Sequence, residues 1–352
     1  MMFSLPSQDL EHIWQKGKNC LQALDGARIF ITGGTGFFGT WLLESLAFAK
    51  THDALDAEIV VLSRNPEHFL KKMPHMRSIQ NLKWLQGEVH DFHFPDGSFT
   101  HVIHAATSAS ADLNQNHPLM MLDTIVYGTR RVLDFAAQAD VKKFLLTSSG
   151  AIYGIQPPTL SHIDETYIGT ADPLSAHSAY AGGKWMAEHL AIRYAEHFNM
   201  DVTIARCFAF VGPYLPLDAH FAIGNFLWNV MQGQPIYLHG DGTPYRSYLY
   251  AADLMVWLWH ILCFGQSKRV YNVGSEEEIA LSALAEKIAQ YACPNVPVII
   301  SKTPDPTLLP ARYVPSTQRA QQELNLIQWI SLEDSIRRTL DWNVSYAKAK
   351  TQ

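Results

Sequence analysis

The apolar run Arg28-Ile29-Phe30-Ile31 breaks into Thr32-Gly33-Gly34-Thr35-Gly36-Phe37-Phe38-Gly39 and resumes at Trp41-Leu42-Leu43. A β-branched run, a glycine cluster and a second apolar stretch read as strand, tight turn and helix. Gly34, Gly36 and Gly39 fit a dinucleotide-type spacing, and Gly33, Gly36 and Gly39 fit a three-residue repeat. Both registers have the same physics: glycines let the backbone turn sharply and approach an anionic group held on the free N–H groups of a helix start. One such turn is weak by itself. It gains force from its place at the head of a strand–helix alternation, and from Tyr180-Ala181-Gly182-Gly183-Lys184 far downstream.

The alternation predicts strands at 28–32, 58–62, 83–87, 101–104, 143–147 and 202–206, with helices at 37–49, 66–73, 119–139 and 177–198. Strands separated by helices pair in parallel through right-handed crossovers, which gives an α/β, doubly wound, Rossmann-like sheet. Residues 7–25 read as an appended N-terminal helix with Ser7 as its cap and Leu10, Ile13 and Trp14 on one face. Residues 26–205 read as the dinucleotide-binding domain. After Arg206 the texture changes to Gly-Pro and Leu-Pro breaks and the turn Gly240-Asp241-Gly242, so 206–345 reads mainly as a smaller substrate-binding lobe, some of whose strands can return to the main sheet. Its helices are expected near 220–232, 250–264, 282–291, 316–324 and 332–341, and its strands near 236–238, 270–273 and 298–300.

Composition narrows the function classes. With 47% apolar and 17% charged residues, the 352-residue chain can bury a large core. A net charge of −6 without a basic run argues against nucleic acid as partner. The start lacks a signal-peptide pattern, and the most apolar stretch, 251–264, is too short for a bilayer and carries Asp253 and His260. No membrane partner and a cytoplasmic location follow as expectations. Cys20, Cys207, Cys263 and Cys293 are far apart and form no CxxC pair, as suits free thiols in a reducing compartment. His90, His93, His101 and His104 match no zinc spacing and read as structural; no metal is expected. Trp228, Trp257 and Trp259 follow helical spacing and read as core, whereas Tyr214, Tyr245 and Tyr248 fall in loops where they could stack on a base.

Tyr180 and Lys184 are four apart on a predicted helix and project from one face. An ammonium beside a phenol favours the phenolate, which suits proton exchange with a hydroxyl. The strand Lys143-Phe144-Leu145-Leu146-Thr147-Ser148-Ser149 ends in hydroxyls at the carboxyl edge, so Ser149 can reach the same substrate oxygen. The plainer alternatives are a surface Tyr/Lys pair and a strand end that satisfies turn N–H groups.

The glycine turn, His104-Ala105-Ala106, the run Thr147-Ser148-Ser149 to Tyr153-Gly154, and Tyr180-x-x-x-Lys184 resemble, in this order, an extended short-chain dehydrogenase/reductase. Within that superfamily the chain resembles the nucleotide-sugar epimerase/dehydratase group from about Arg28 to Trp342, including Arg206-Cys207-Phe208 to Gly212-Pro213 and Gly240-Asp241-Gly242 to Arg246-Ser247-Tyr248. The resemblance implies Ser149, Tyr180 and Lys184 as the catalytic set, with Tyr180 as acid/base at the sugar 4-oxygen. Lys184 holds the nicotinamide ribose, and hydride passes between sugar C4 and the cofactor. It also implies a cofactor site from Gly33, Gly36, Phe37, Phe38, Gly39, Ser63, Arg64, Glu88, Val89, Ala105, Ala106, Tyr180, Lys184 and Phe208. Ser149, Arg246 and Arg312 would meet a nucleoside-diphosphate sugar, and a homodimer would form through the helices at 119–139 and 177–198.

Departures from the family pattern bear on the reaction. Family dehydratases carry an Asp-Glu pair, and decarboxylases a glutamate, where this chain has Gly150 and Ala151. That favours chemistry needing only hydride and proton transfer at C4, a 4-epimerase or a 4-ketoreductase. A dehydratase or decarboxylase with a relocated base, and a non-catalytic dinucleotide sensor, are the rival readings. Ser63-Arg64 replaces the usual ribose-binding carboxylate, so the cofactor is NADP or NAD, with the 2′-phosphate well served by Arg64. Ala209 stands where the family often has a diphosphate-binding asparagine, and the asparagine ahead of Gly128-Thr129 is missing.

Overall fold

The computed structural model describes residues 4–53, 55–107, 111–175, 177–219 and 221–350. Seven parallel strands form the central sheet: β1 (Arg28–Thr32), β2 (Glu58–Ser63), β3 (Leu82–Gln86), β4 (His101–His104), β5 (Lys143–Ser149), β6 (Asp201–Cys207) and β7 (Arg269–Val273), in the order β7-β6-β5-β4-β1-β2-β3. The chain starts in the middle at β1, winds outward through β2 and β3, then crosses to β4 and winds the other way. The strand order therefore reverses between β1 and β4, where Thr32 pairs with His104. A crevice opens at that point along the carboxyl edge. β1, β4, β5 and β6 are buried for nearly their whole length, as their unbroken apolar runs require.

Two buried clusters sandwich the sheet. On one face Phe30, Phe92, Phe99, Phe135 and Phe144 pack with the helices Pro118–Gln138 and Ala179–His197. On the other, Trp41, Trp257 and Trp259 lie among the helices Phe37–Asp53 and Ala251–Phe264 and the N-terminal helix Ser7–Gln22. That last helix buries Leu10, Ile13 and Trp14 as read, but Ser7 does not cap it: Pro6 takes the cap position without a side-chain bond. Trp257 and Trp259 are core, whereas Trp228 is exposed, because its helix Ala222–Met231 turns Phe226, Leu227 and Val230 inward instead.

The sequence after Arg206 is not one separate block. From the carboxyl end of β6 the chain makes an excursion over the sheet, returns as the buried helix Ala251–Phe264, runs along β7 beside β6, and leaves again. The two excursions meet in a small sheet in which Tyr245–Arg246 lies between Ile279–Ala280 and Arg312–Tyr313. These two-residue strands have no apolar alternation to announce them. No helix among the described residues is long and apolar enough to cross a membrane.

Candidate active site

The glycine turn after β1 is a close-packed cradle. Gly33 has φ +73°, and a Cβ there would lie 2.5 Å from the carbonyl of Ala105. A Cβ on Gly39 would strike the backbone of Gly33 and Gly34, so the helix can start only directly under the turn. Gly36 is different: its outward side meets only the Gly33 carbonyl, at 3.4 Å, and is otherwise open. The first N–H groups of the helix Phe37–Asp53 lie past any intrahelical acceptor. An open glycine over free N–H donors at a helix start is the environment a pyrophosphate needs. The cradle is braced from β4: Thr32 Oγ1 accepts from Ala106 N–H at 3.1 Å and bonds His104 Nδ1 at 2.7 Å, while His104 Nε2 reaches Thr129 Oγ1 at 3.0 Å. Burial pushes His104 down to about 3, so it stays neutral as a bracket. No cluster of metal-ligating side chains occurs among the described residues.

Around this cradle the other expected cofactor residues line up at strand ends. Ser63 closes β2 and is buried, and Arg64 follows it into solvent. Val89 is buried against Gly128, whose missing side chain lets the helix approach, and Glu88 is exposed beside it. Phe37 and Phe38 sit at the helix start, with Phe38 edge-on to Phe210 at 5.3 Å.

The catalytic candidates converge across the next gap. Ser149 ends β5, and its hydroxyl accepts from Ala151 N–H at 3.1 Å and lies near the Tyr180 phenol. Tyr180 is placed by its helix, whose start is held by Asn114: Oδ1 takes Tyr180 N–H at 2.9 Å, and Nδ2 donates to His177 O at 2.8 Å. One turn on, Lys184 is buried, with Nζ 6.0 Å from the centre of the Tyr180 ring. It donates to Thr107 Oγ1 at 2.8 Å and to the Thr147 carbonyl at 2.7 Å. Gly183 lets this helix press onto Ile125.

The electrostatics correct one expectation. A lysine ammonium is expected to make Tyr180 more acidic, yet burial is the larger effect and pushes the phenol up to about 12, with the nearby Ser149 hydroxyl opposing it. The same burial pulls Lys184 down to about 8. In a pocket that disfavours every charge, the phenol stays protonated and the amine is ready to lose its proton.

Of the two places without an acid, the one at Gly150 is filled. A Cβ added to Gly150 would lie 2.7–2.8 Å from three carbons of the Phe208 ring, so no side chain fits there. Phe208 in turn packs on Tyr153 at 6.2 Å and on Tyr313 at 4.7 Å between ring centres.

A sequence profile decides what kind of protein this arrangement belongs to. The profile described as the NAD dependent epimerase/dehydratase family matches residues 29–274, from β1 to the end of β7. The chain belongs to that family. The UDP-glucuronic acid decarboxylase 6 of Arabidopsis thaliana is 26% identical over 310 residues, 88% of this chain and 86% of its own. Among solved structures, an epimerase of Methanothermobacter thermautotrophicus superposes with a TM-score of 0.79 at 21% identity, over 96% of this chain and 97% of its own. The UDP-glucuronic acid 4-epimerase of Bacillus cereus, solved with UDP-glucuronic acid and NAD, gives 0.75 at 18% identity, over 90% and 99%.

Within this epimerase/dehydratase fold, the substrate-side residues are less uniform than the sequence suggests. Arg246 lies in the small sheet, with Nη1 donating to the Tyr245 carbonyl at 2.8 Å. Arg312 is paired with Glu278 and lies 4.4 Å over the Tyr245 ring, so a carboxylate competes for it. Tyr248 is core, and Tyr214 packs against Trp342 at 4.7 Å, which leaves Tyr245 alone of the three in the small sheet. Sequence reading missed Asn114, Thr107 and Tyr313. Asn114 reaches the site only through long-range packing, and Tyr313 comes to lie against Phe208 in the same way, whereas Thr107 directly follows His104-Ala105-Ala106 and could have been found from that strand end.

Proposed function

We propose that this chain is an NAD- or NADP-dependent nucleotide-sugar enzyme that acts at sugar C4 by hydride and proton transfer, as a 4-epimerase or a 4-ketoreductase. The observation that carries this reading is the convergence of Ser149, Tyr180 and a buried Lys184 next to a glycine cradle shaped for a pyrophosphate. Gly33, Gly36 and Gly39 with the starts of Phe37 and Phe38 would hold the pyrophosphate, Lys184 the ribose, and Ala105 and Ala106 the floor of the cleft. Ser63 and Arg64 suit a ribose 2′-phosphate, and Glu88 and Val89 lie at the position expected for the adenine. When bound, the oxidised cofactor supplies a hydride acceptor and a positive charge.

The chain's own groups do the rest. Tyr180 exchanges a proton with the 4-hydroxyl, and Ser149 offers its hydroxyl to the same oxygen. Arg246 offers a planar fork to the diphosphate, joined by Arg312 once it exchanges Glu278 for phosphate. Elimination and decarboxylation call for a further acid or base, and Phe208 occupies the space beside Gly150 where one would stand. A decarboxylase remains the second reading, because a curated relative at 26% identity carries that name. The exposed Leu119, Met120, Tyr127, Trp185 and Met186 on the paired helices Pro118–Gln138 and Ala179–His197 support a homodimer, to be read as a doubled mass in light scattering.

The test is to load the purified protein with NAD or NADP and supply UDP-glucose, UDP-glucuronic acid and dTDP-glucose in turn. The sugar is followed by NMR and the cofactor at about 340 nm. An epimerase inverts C4 with no net change in absorbance, and a reductase consumes the reduced cofactor when given the 4-keto sugar. Y180F is expected to lose about 10²–10⁴ in turnover while keeping its fold by circular dichroism. Carbon dioxide released from UDP-glucuronic acid, or Y180F with unchanged turnover, overturns the proposal.

A further inference from the structure

The helix that carries Tyr180 begins without a cap of its own. Ser178 stands at the cap position, a residue type that ordinarily turns its hydroxyl onto the second or third N–H of a helix. Here its backbone is already helical, with φ −90° and ψ −7°, and its hydroxyl donates backwards to the Ser175 carbonyl at 2.8 Å. Tyr180 is the second residue of the helix, so its N–H is one of the donors that the first turn leaves without an intrahelical acceptor.

Asn114 does what Ser178 does not. Its Oδ1 accepts from Tyr180 N–H at 2.9 Å, and its Nδ2 donates to the His177 carbonyl, on the other side of the cap, at 2.8 Å. One amide therefore spans the helix start and fixes the angle at which the chain enters it. Asn114 is itself placed on the short helix Ala111–Asn116, which His117 N–H joins to the next helix by returning to the Leu113 carbonyl at 3.0 Å. Leu113 packs on the same apolar cluster as Ala179 and Tyr180. The connection after β4 reaches the other member of the pair as well, through the Thr107 hydroxyl that accepts from Lys184 Nζ at 2.8 Å.

We propose that Asn114 is a positioning residue for Tyr180, capping the catalytic helix from the connection after β4 and so setting where the phenol sits relative to Ser149 and Lys184. A first turn without a cap opens locally, and Tyr180 lies in that turn. A displacement of about 1 Å at a reacting group costs on the order of a hundredfold in rate. Lys184 lies one turn deeper and keeps its own bonds to Thr107 and to the Thr147 carbonyl, so its place beside the cofactor does not pass through Asn114. Loss of the cap therefore falls on turnover and spares binding.

The proposal rests on Tyr180 being the acid–base group of the preceding reading, and its first test needs no sugar. Amide hydrogen exchange of the NAD-loaded full chain is resolved to single residues by fragmentation mass spectrometry. N114A is expected to speed exchange at the Tyr180 amide about tenfold, with the amides of β5 unchanged. N114D keeps an acceptor for Tyr180 N–H and is expected to stay within about threefold of the original chain. The second test uses whichever of UDP-glucose, UDP-glucuronic acid and dTDP-glucose is turned over. There N114A is expected to lower kcat about tenfold or more, with KM and the NAD Kd within about threefold, and N114D to recover most of that loss. Unchanged exchange at Tyr180 in N114A overturns the proposal, as does a rise spread equally over β5, which marks a general loss of stability. Faster exchange with an unaltered kcat, or N114D as impaired as N114A, overturns it too. Should N114A fail to fold, N114L, of similar volume and without an acceptor, is read by the same criteria. A chain that turns over none of the sugars refutes the C4 reading, and amide exchange then decides the role of Asn114 alone.

Discussion

At the scale of single residues, the site is governed by burial more than by the attraction between neighbouring charges. Lys184 ordinarily ionises at 10.5 and is pulled down to about 8 here. Between those values the unfolded chain binds the proton and the folded one does not, so this group's contribution to stability rises with pH across that window. Below it, the fold carries a buried cation at a cost. A ligand that accepts a hydrogen bond from the ammonium works in the opposite sense, because it binds only the protonated amine. Affinity for NAD is therefore expected to hold steady up to about pH 8 and then to fall by up to tenfold per unit. Titration calorimetry across this range reads it directly. K184M is expected to bind more weakly and to show no such dependence; a wild-type affinity flat through pH 9.5 would remove Lys184 from the cofactor site.

At the scale of elements, the site depends on the helix Ala179–His197 keeping one depth and one rotation against β5 and β6. Glu188, one turn past Lys184, is the anchor. It takes Arg206 through a forked pair at 2.8–3.2 Å and Ser148 Oγ at 2.5 Å. Arg206 continues to Tyr153 Oη at 2.8 Å, and Tyr153 to Asn272 on β7, also at 2.8 Å. One chain of bonds thus ties the helix to three adjacent strands. Both ions are nearly buried, so E188L leaves a guanidinium without its counter-charge and is expected to cost about 3–5 kcal/mol. The double change E188L/R206M is expected to lose much less, which scanning calorimetry of the two variants checks; equal losses would show that the pair is not the anchor.

The same elements show what a sequence discloses. The glycine turn, the Tyr-x-x-x-Lys pair and the hydroxyl-tipped strand were legible because each is local: a few consecutive residues whose geometry follows from one turn or one helix. Parallel strands were legible from unbroken apolar runs. The small sheet was not, because a strand of two residues has no period, and what creates it is the meeting of chain segments far apart. Asn114, 66 residues from the backbone N–H it caps, gives no local sign of that task. The acidity of Tyr180 was misread for a related reason: proximity of a lysine can be read from spacing, but the depth at which both groups sit cannot.

At the scale of the whole molecule, the two termini close over the same buried helix, Ala251–Phe264. Asp9 on the N-terminal helix is fully buried, accepting from Tyr250 Oη and from Arg338 on the C-terminal helix Leu332–Lys350, both at 2.7 Å. Asp253 faces the other way, bonded to His12 at 2.7 Å and to the N–H groups of Trp329 and Ile330 at 2.9 Å. Burial pushes Asp9 upward even so, which marks a carboxylate kept in place only by its partners. The N-terminal helix is thus part of the core packing and not an ornament. A chain lacking residues 1–25 is expected to lose most of its soluble yield and to melt well below the full chain. D9A is expected to cost about 1–3 kcal/mol, because it leaves the buried Tyr250 hydroxyl without its acceptor while Arg338 keeps Asp334. Unchanged melting of the shortened chain would refute this role.

The small sheet beside the proposed sugar site is co-authored. Arg246 comes from the first excursion out of the sheet and Tyr313 from the second, and the two are joined by backbone bonds in adjacent strands. Neither stretch can be lengthened, shifted or exchanged without tearing the seam they share. Under the proposed function, a change of preferred sugar is thus expected to arrive as matched alterations on both sides of that seam, and a transplant of one side alone to lose the scaffold before it gains a new guest.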